Sequence, residues 1–381
     1  MKNSLKLWFT CFIMMALLAG CGNKETKQTK EEPVVETGIV EEEKSDLTGN
    51  FEVHFIDVGQ ADATLVMSDG YNMLIDGGNP EDSDLIYSYL KNHNIDTIDY
   101  MIATHAHTDH VGGLAGALNY AQADTVYCPV QNDELEAFQD LKKYVEIQGK
   151  EIIIPEAGDE FSLGDANCKI LAVNTFNDDP NNTSIVLKIE YGTTSFLFSG
   201  DATEFVENAV IENGYDISCT VMKVPHHGSD TSLSQLWLNE AKPEYAVISS
   251  GAGNSYGHPC EITLNKLRDA QVTVFRTDMQ GDIICTSDGE TVEFRVEKNP
   301  EADVFIFTGV SITEETVEDE EQNIQKTQMS GNYILNLNTL KFHYPDCKSV
   351  DDMKEKNKQE SSLSRDEIIA QGYSPCGNCH P

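Results

Sequence analysis

Thr104-His-Ala-His-Thr-Asp-His110 places four metal-binding side chains, those of His105, His107, Asp109 and His110, within six residues. The run follows the apolar stretch Tyr100-Met-Ile-Ala103 and precedes Val111-Gly-Gly113. A strand ending at Ala103 throws His105 and His107 the same way, and leaves Asp109 and His110 at the mouth of whatever helix follows the glycines. The two glycines are expected to let the backbone come close to the cations. Three imidazoles and a carboxylate cannot share one small apolar core without a cation to satisfy them. The donor set suits zinc, iron or manganese. The competing reading is a polar turn that is merely rich in histidine.

One tetrahedral ion would be filled by these four side chains, with no position left for a substrate, so further ligands are expected downstream. Phe196-Leu-Phe-Ser-Gly200 has a buried-strand pattern and ends in Asp201, a carboxylate able to bridge two cations. Val221-Met-Lys-Val-Pro225 is a second such strand and runs into His226-His227-Gly228-Ser229. Tyr245-Ala-Val-Ile-Ser249 is a third, followed by Gly251-Ala-Gly-Asn-Ser-Tyr-Gly-His258-Pro259. Taken alone, Asp201 or His258 could be an ordinary loop residue. Repetition of a strand followed by histidine or aspartate, along one sheet edge, is the stronger signal.

The H-x-H-x-D-H run, the Gly200-Asp201 pair and the strand order resemble the metallo-β-lactamase fold, an α/β architecture in which an αββα sandwich holds metals at one edge. More narrowly, Phe55-Ile-Asp-Val-Gly-Gln-Ala-Asp62, Leu74-Ile-Asp-Gly-Gly78, Asn181-Asn-Thr-Ser184, Val224-Pro-His-His-Gly-Ser229 and Tyr256-Gly-His-Pro259 resemble the extracellular hydrolase domain of ComEC-type competence proteins. The resemblance covers roughly residues 51 to 297, in six ordered motifs. It departs from the commonest pattern in one place: the histidine expected before the Ser-Gly-Asp strand is absent, and Asn181 and Asn182 stand there. A later histidine is expected to replace it. On this reading His105, His107 and one of His226 or His227 hold the first ion, Asp109, His110 and His258 the second, and Asp201 bridges. The unassigned member of the His226/His227 pair becomes a substrate-side donor or acid, which with Asp109 and Asp201 completes the catalytic set. The resemblance further makes Asp76 a partner of a ligand histidine, and Asp57 with it, against the reading of both as turn-forming aspartates. It implies two divalent ions, zinc or manganese.

Met1-Lys-Asn-Ser-Leu-Lys6 is a basic start and Leu7 to Leu18 is apolar but short for a membrane span, so residues 1–20 read as a secretion signal. Leu18-Ala-Gly-Cys21 is similar to the bacterial lipobox, which implies lipidation at Cys21 and an extracytoplasmic chain anchored to the cell membrane; a plain signal peptide is the alternative. Residues 21–50 carry almost no large apolar side chain beyond that cysteine and read as a tether. Residues 51–297 form the hydrolase domain, with helices expected at Asp133 to Gln148, Thr203 to Asn213 and Cys260 to Ala270. In the first of these Leu135, Phe138, Leu141 and Val145 fall at helical spacing and are expected in the core. Residues 298–331, with Glu314, Glu315, Glu318, Asp319, Glu320 and Glu321, form an acidic linker.

Of ten cysteines, Cys128, Cys168, Cys219, Cys260 and Cys285 are scattered singly and read as small core residues, not as a disulfide framework. The tail differs. His343 with Cys347 and Cys376 with Cys379 make two paired spacings in a module at 332–381, which reads as a structural zinc site because so small a unit needs a staple. The module resembles one found at the ends of secreted bacterial nucleases, itself similar to the zinc-binding domain of the Ada DNA-repair protein. His343 replaces one cysteine of that pattern, so methyl-acceptor chemistry is not carried over. A Cys376–Cys379 redox pair is the rival reading, and His380 could stand in for His343.

A net charge of −38 argues against sequence-independent binding of a polyanion by the whole surface. Two divalent ions in a cleft would concentrate positive potential locally, and much of the negative charge lies in the linkers. The tail is better balanced through Lys341, Lys348, Lys354, Lys356, Lys358 and Arg365, read as the solvated face of a helix rather than a DNA patch. The expected activity is metal-dependent hydrolysis of phosphodiesters, with DNA as the expected partner. Asn181, Asn182, Lys223 and Ser229 are expected to hold the phosphate. The alternatives are an esterase for phosphorylcholine on envelope polymers and a non-catalytic DNA-binding surface receptor. No transmembrane channel is read in the sequence, so a detached hydrolase domain is expected rather than a complete uptake transporter.

Overall fold

A computed structural model describes residues 51–174, 179–307 and most of 333–376. The secretion signal, Cys21, the tether, residues 308–331 of the acidic linker and the residues Cys379 and His380 lie outside the described residues, whereas 298–307, expected to belong to the linker, are described, with Val304 and Phe305 packed against the domain core. Among the described residues no helix is long and apolar enough to cross a membrane.

The strands in chain order are β1 (Phe51–Phe55), β2 (Thr64–Ser68), β3 (Tyr71–Ile75), β4 (Thr97–Ile102), β5 (Gln122–Tyr127), β6 (Ile152–Ile153), β7 (Glu160–Leu163), β8 (Ala166–Ala172), β9 (Val186–Tyr191), β10 (Thr194–Phe198), β11 (Val221–Lys223), β12 (Tyr245–Ile248), β13 (Thr273–Arg276), β14 (Ile283–Ser287) and β15 (Val292–Val296). They build an eight-stranded sheet in the order β15-β14-β1-β2-β3-β4-β5-β6 and a seven-stranded sheet in the order β13-β12-β11-β10-β9-β8-β7. Three apolar clusters separate four layers. Phe51, Val53 and Phe55 of β1 alternate inward and meet Leu187, Ile189, Phe196 and Phe198 of the other sheet. The outer face of the first sheet is covered by α1 (Ser83–Asn92), α2 (Thr108–Val111), α3 (Leu114–Tyr120) and α4 (Glu136–Ile147). The outer face of the second is covered by α5 (Glu204–Glu212), α6 (Gln235–Ala241) and α7 (Glu261–Asp269). This is the expected αββα sandwich.

Capping explains where helices begin. Thr203 accepts a hydrogen bond from the Phe205 amide ahead of α5, and the Ser234 hydroxyl accepts one from the Trp237 amide ahead of α6. In α4, Phe138, Leu141 and Val145 are buried, but Leu135 is the extended N-cap residue and stays 40% exposed; Ala137 fills the core in its place. The cysteines at 128, 168, 219 and 285 are buried and unbridged. Burial pushes the Cys128 and Cys219 thiols up to about 12, so they are inert packing groups.

Two runs of parallel strands, β3-β4-β5 and β10-β11-β12-β13, set the position of the site. Parallel strands deliver their carboxyl ends to one edge, and the loops after β1, β3, β4, β10, β11 and β12 carry every residue of the H-x-H-x-D-H set and its downstream companions. Gly112 and Gly113 have another role than the one expected. A Cβ on Gly113 would lie 1.9 Å from the Gly77 carbonyl oxygen, and one on Gly112 would lie 2.3 Å from the Pro80 nitrogen. They let the start of α3 close on the loop after β3, not the backbone on the cations.

The tail forms a separate small sheet from β16 (Tyr333–Asn336), β17 (Lys341–His343), β18 (Lys358–Ser361) and β19 (Ser374–Pro375), in the order β18-β16-β17-β19. Its apolar clusters hold only a few residues: Leu335, Phe342 and Ile368 in one, Cys347, Val350, Met353 and Cys376 in the other.

Candidate metal centre

The loop after β4 turns at once into α2, with His107 as its extended N-cap residue, so Asp109 and His110 fall in a single helical turn beside His105. The carboxyl end of β10 brings Asp201 against them, buried at 2% exposure. His226 and His227 both adopt left-handed backbone, φ 52° and 53°, and Gly228 follows at φ 84°. Consecutive left-handed residues outside glycine carry strain, and here they aim two adjacent imidazoles into one cleft.

Asp109, His110, Asp201 and His227 each present a ligand atom, all within 4.8 Å of one another. Nε2 of His227 lies 3.3 Å from Asp109 Oδ2 and 3.6 Å from Asp201 Oδ2, and His110 Nε2 lies 3.3 Å from Asp201 Oδ1. His226 Nε2 stands 3.5 Å and His105 Nε2 4.0 Å from the same Asp201 Oδ2. His105 Nε2 and His107 Nδ1 face each other at 3.0 Å. Four imidazoles therefore converge on the Asp201 carboxylate. His227, expected to share a set with His105 and His107 if it bound metal at all, groups instead with Asp109 and His110, the place given to His258. His258 lies farther out, its ring 5.6 Å from that of His226 and 6.4 Å from that of His227.

The far nitrogens of these rings are held in place. His110 Nδ1 donates to Asp76 Oδ2 at 2.9 Å, and Asp76 is fixed by the Thr104 amide at 2.8 Å and the Thr104 hydroxyl at 2.7 Å. His227 Nδ1 donates to the Ser249 carbonyl at 3.1 Å and lies 3.3 Å from Asp62. His226 Nδ1 pairs with Thr231 Oγ1 at 2.9 Å. With Nδ1 committed, the Nε2 lone pairs of His110 and His227 point into the cleft, where they, with Asp201 Oδ1, are buried without a hydrogen-bond partner. Buried polar atoms left unpaired in this way, with donors of this chemistry, fit a divalent cation.

The electrostatics agree. Burial would lower His110 and His227, but Asp201, with Asp76 for one and Asp62 for the other, lifts His110 well above the usual imidazole range and His227 to about 10. Burial raises Asp109, but the facing His110 and His227 bring it down to about 2. Asp201 is likewise held well below the carboxylate range by His110 and His227 against the effect of burial. The carboxylates demand positive charge, and without a metal the imidazoles must supply it as protons. Burial keeps His105 and His226 low, and burial with the neighbouring imidazoles brings His258 to about 4.

The family model of the metallo-beta-lactamase superfamily matches residues 56–252, just over half of the chain. The chain belongs to that superfamily. It is similar to ComE operon protein 3 of Bacillus subtilis, 28% identical over 258 residues, covering 62% of this chain and 33% of the relative. It is similar to competence protein ComA of Neisseria gonorrhoeae, 41% identical over 106 residues, covering 28% of this chain and 15% of that protein. Recombination protein 2 of Haemophilus influenzae is 28% identical over 240 residues, covering 61% and 28%. The chain spans a third or less of the length of these relatives.

In this lactamase-fold centre the remaining expected residues separate clearly. A cavity of about 190 Å³ opens over the ligands and is lined by Asn181, Tyr256 and His258 besides the ligand residues and Gln60. Asn181 thus faces the space a substrate would fill. Asn182 does not: its Oδ1 accepts from the Thr203 hydroxyl, which secures the loop to the start of α5. Ser229 is buried and its hydroxyl pairs with Thr231 Oγ1 at 3.0 Å. Lys223, expected to touch phosphate, is 4% exposed and donates to Asp62 Oδ2 at 2.8 Å and to the Val224 carbonyl at 3.0 Å. Its role is to hold Asp62 beside His227. Asp57 does not support a ligand either; it accepts from the Gly59 amide and pairs with Lys298 at 3.4 Å, a turn residue at the sheet end. Asp62 itself lies inside a quoted motif yet had no assigned role. Nothing local marks it, since its partner Lys223 is 161 residues away.

A larger hollow of about 520 Å³ lies along β7, β8 and β9. Its charges are already paired, Lys188 with Asp216 at 2.9 Å and Lys169 with Glu160 at 2.6 Å, so it offers no converging free groups.

In the tail, His343, Cys347 and Cys376 are buried, with ligand atoms within 4.8 Å of one another. Both ring nitrogens of His343 lack a hydrogen-bond partner. This cluster fits a soft cation by the same test.

Proposed function

We propose that this superfamily hydrolase cleaves phosphodiester bonds with two divalent ions, acts on DNA outside the cytoplasm, and is anchored to the membrane through a lipid on Cys21. The observation that carries the reading is Asp201, buried, with Asp109, His110 and His227 presenting ligand atoms within 4.8 Å of one another and of it, and with His226 and His105 at 3.5 and 4.0 Å from its Oδ2 and His107 beside His105. Those are the two ligand sets proposed, with Asp201 common to both. Ions held there supply Lewis acidity toward phosphoryl oxygens and make a water acidic enough to attack near neutral pH. The protein's own groups do the rest. Asp76, Asp62, Ser249 and Thr231 fix the tautomers of the ligand imidazoles before substrate arrives. Asn181 presents an amide on the cleft wall to a non-bridging phosphate oxygen, and His258, neutral near pH 7, lines the same cleft as a hydrogen-bond partner for the leaving group. The names of two of the relatives, a competence protein and a recombination protein, support a nucleic-acid substrate. A receptor without catalysis would have no need of every ligand. We assign His343, Cys347, Cys376 and Cys379 a structural zinc in the tail.

The test is to measure bound metal and then assay the chain against single-stranded and duplex DNA, bis(p-nitrophenyl) phosphate and p-nitrophenyl phosphorylcholine. Turnover of the diesters should disappear in His107→Ala and Asp201→Ala. Full turnover in either variant, or hydrolysis of phosphorylcholine alone, would refute the proposal.

A further inference from the structure

Tyr256 is 72% exposed on the wall of the metal cleft. One face of its ring lies over the His258 imidazole, centroids 5.8 Å apart and planes at 26°, and the other face is open. The loop that carries it is braced. Asn254 Oδ1 accepts from the amides of Tyr256 at 3.1 Å and His258 at 3.0 Å, while its side-chain amide donates to the Gly251 and His258 carbonyls. The Gly251 amide in turn donates to Gln60 Oε1 at 3.1 Å, across the cleft from a different strand end.

A second aromatic approaches the same loop. Phe307 is 41% exposed, and its ring edge comes within 3.9 Å of where a Cβ on Gly257 would sit. The backbone just before it is strapped down by Arg276, fully buried, whose guanidinium donates to the carbonyls of Val304 at 3.0 Å and Ile306 at 2.7 Å and pairs with Asp278 at 2.6 Å. Tyr256 on the cleft wall and Phe307 beside the loop that carries it are therefore two partly exposed aromatic side chains on braced backbone. None of the residues lining the cleft is lysine or arginine. Among the described residues that line it, a chain of phosphates meets no side-chain cation to hold its flanking charges.

We propose that Tyr256, continued by Phe307, is a stacking platform for the bases next to the scissile bond, and that the substrate is consequently single-stranded nucleic acid. This rests on the phosphodiester reading above and adds what selects the substrate. Every base has a π face, so stacking is tolerant of sequence, and it supplies the affinity that a surface of this charge withholds from the backbone. In a duplex those faces are already covered by neighbouring pairs. A choline headgroup is the poorer match, because quaternary ammonium sites surround the cation with several ring faces and here one flat face is open with a ring edge beyond it.

The experiment uses the full chain, metal-replete, with a short oligodeoxyadenylate, an abasic chain of equal length carrying the same diesters, and a blunt duplex. The ratio of kcat/KM for the base-bearing chain over the abasic chain should be about tenfold or more in the wild type, fall toward unity in Tyr256→Ala, persist in Tyr256→Phe, and fall partway in Phe307→Ala. Binding of a fluorescent phosphorothioate version, which turns over slowly, should follow the same order and weaken only slightly with added salt. A ratio unchanged in Tyr256→Ala, or equal turnover of duplex and single strand, overturns the platform. If the wild type cleaves no diester, the phosphodiester reading fails, and the binding ratio still decides the platform alone. Tighter binding of phosphorylcholine than of the oligonucleotide, lost in Tyr256→Ala, would assign the ring to choline and overturn the proposal.

Discussion

Replacing Lys223 by methionine isolates a part of this centre that touches neither ion nor substrate. The Lys223 and Asp62 side chains are 4% and 6% exposed and meet at 2.8 Å. Burial alone would raise Asp62; Lys223 first and His227 next bring it below its ordinary value, so the carboxylate stays ionised in the interior. Removing the ammonium leaves that charge with His227 as its nearest compensation at 3.3 Å. Breaking a buried pair from one side costs about 3 to 5 kcal/mol, and the remaining imidazole puts this case near the lower figure. For a domain of this size about 3 kcal/mol lowers Tm by roughly 6 to 12 °C. Metal affinity should fall as well, by about 10- to 100-fold, because Asp62 helps fix the ring whose Nε2 faces Asp109 and Asp201. Denaturant unfolding of metal-free protein and a separate metal titration read the two effects apart. The double variant Lys223→Met/Asp62→Leu should regain most of the stability, since an apolar pair replaces an ionic one, without regaining the affinity. A Lys223→Met protein with unchanged unfolding midpoint and unchanged metal affinity would refute the argument.

Three further outcomes follow from the same geometry. Asp76→Ala removes the acceptor of the His110 Nδ1 proton and of both Thr104 donors, so metal affinity measured against a competing chelator should drop by about 10- to 100-fold with secondary structure retained. His227→Ala should reduce bound metal toward one ion per chain in elemental analysis, whereas His258→Ala and Asn182→Ala should leave the stoichiometry intact; loss of an ion in His258→Ala with none in His227→Ala would reverse the ligand sets. In the tail, Cys347→Ser removes one of three clustered donors from a module whose apolar clusters are small, and the 333–376 region should lose protection from proteolysis while hydrolysis of a small diester is unaffected. Equal protection under strong chelation would give the site to the redox alternative.

What could be read from the sequence and what could not divide along a physical line. His105, His107, Asp109 and His110 were legible because one strand end and one helical turn fix all four, and local geometry is what spacing encodes. Asp201 and the His226/His227 pair were legible as positions for a similar reason, each sitting just past an apolar run that could only be a buried strand. The choice between His226 and His227 was not. It depends on left-handed backbone at two non-glycine residues, which spacing does not encode and which turns His227 toward Asp109. Residue type misled in the other direction for Lys223 and Asp57. A lysine after a strand near a presumed phosphate site suggests a ligand, but its environment is set by Asp62 in a loop contributed by the opposite sheet.

The same distinction bears on the charge. A net −38 looks adverse to any polyanionic substrate if charge is counted over the whole chain. A substrate meets only the cleft, where Asp109 and Asp201 face the inward ring nitrogens of His227 and His110, while behind it Asp76 is matched to the far nitrogen of His110 and the Asp62–Lys223 pair is neutral by itself. Two divalent ions would turn that local balance positive while leaving the rim without fixed cations. Attraction would then act over a short range on the phosphate at the ions, and the neighbouring nucleotides would be held by the faces of their bases at Tyr256 and Phe307. An acidic chain hydrolysing a polyanion is physically consistent on those terms, and it requires that binding depend on bases more than on the number of phosphates.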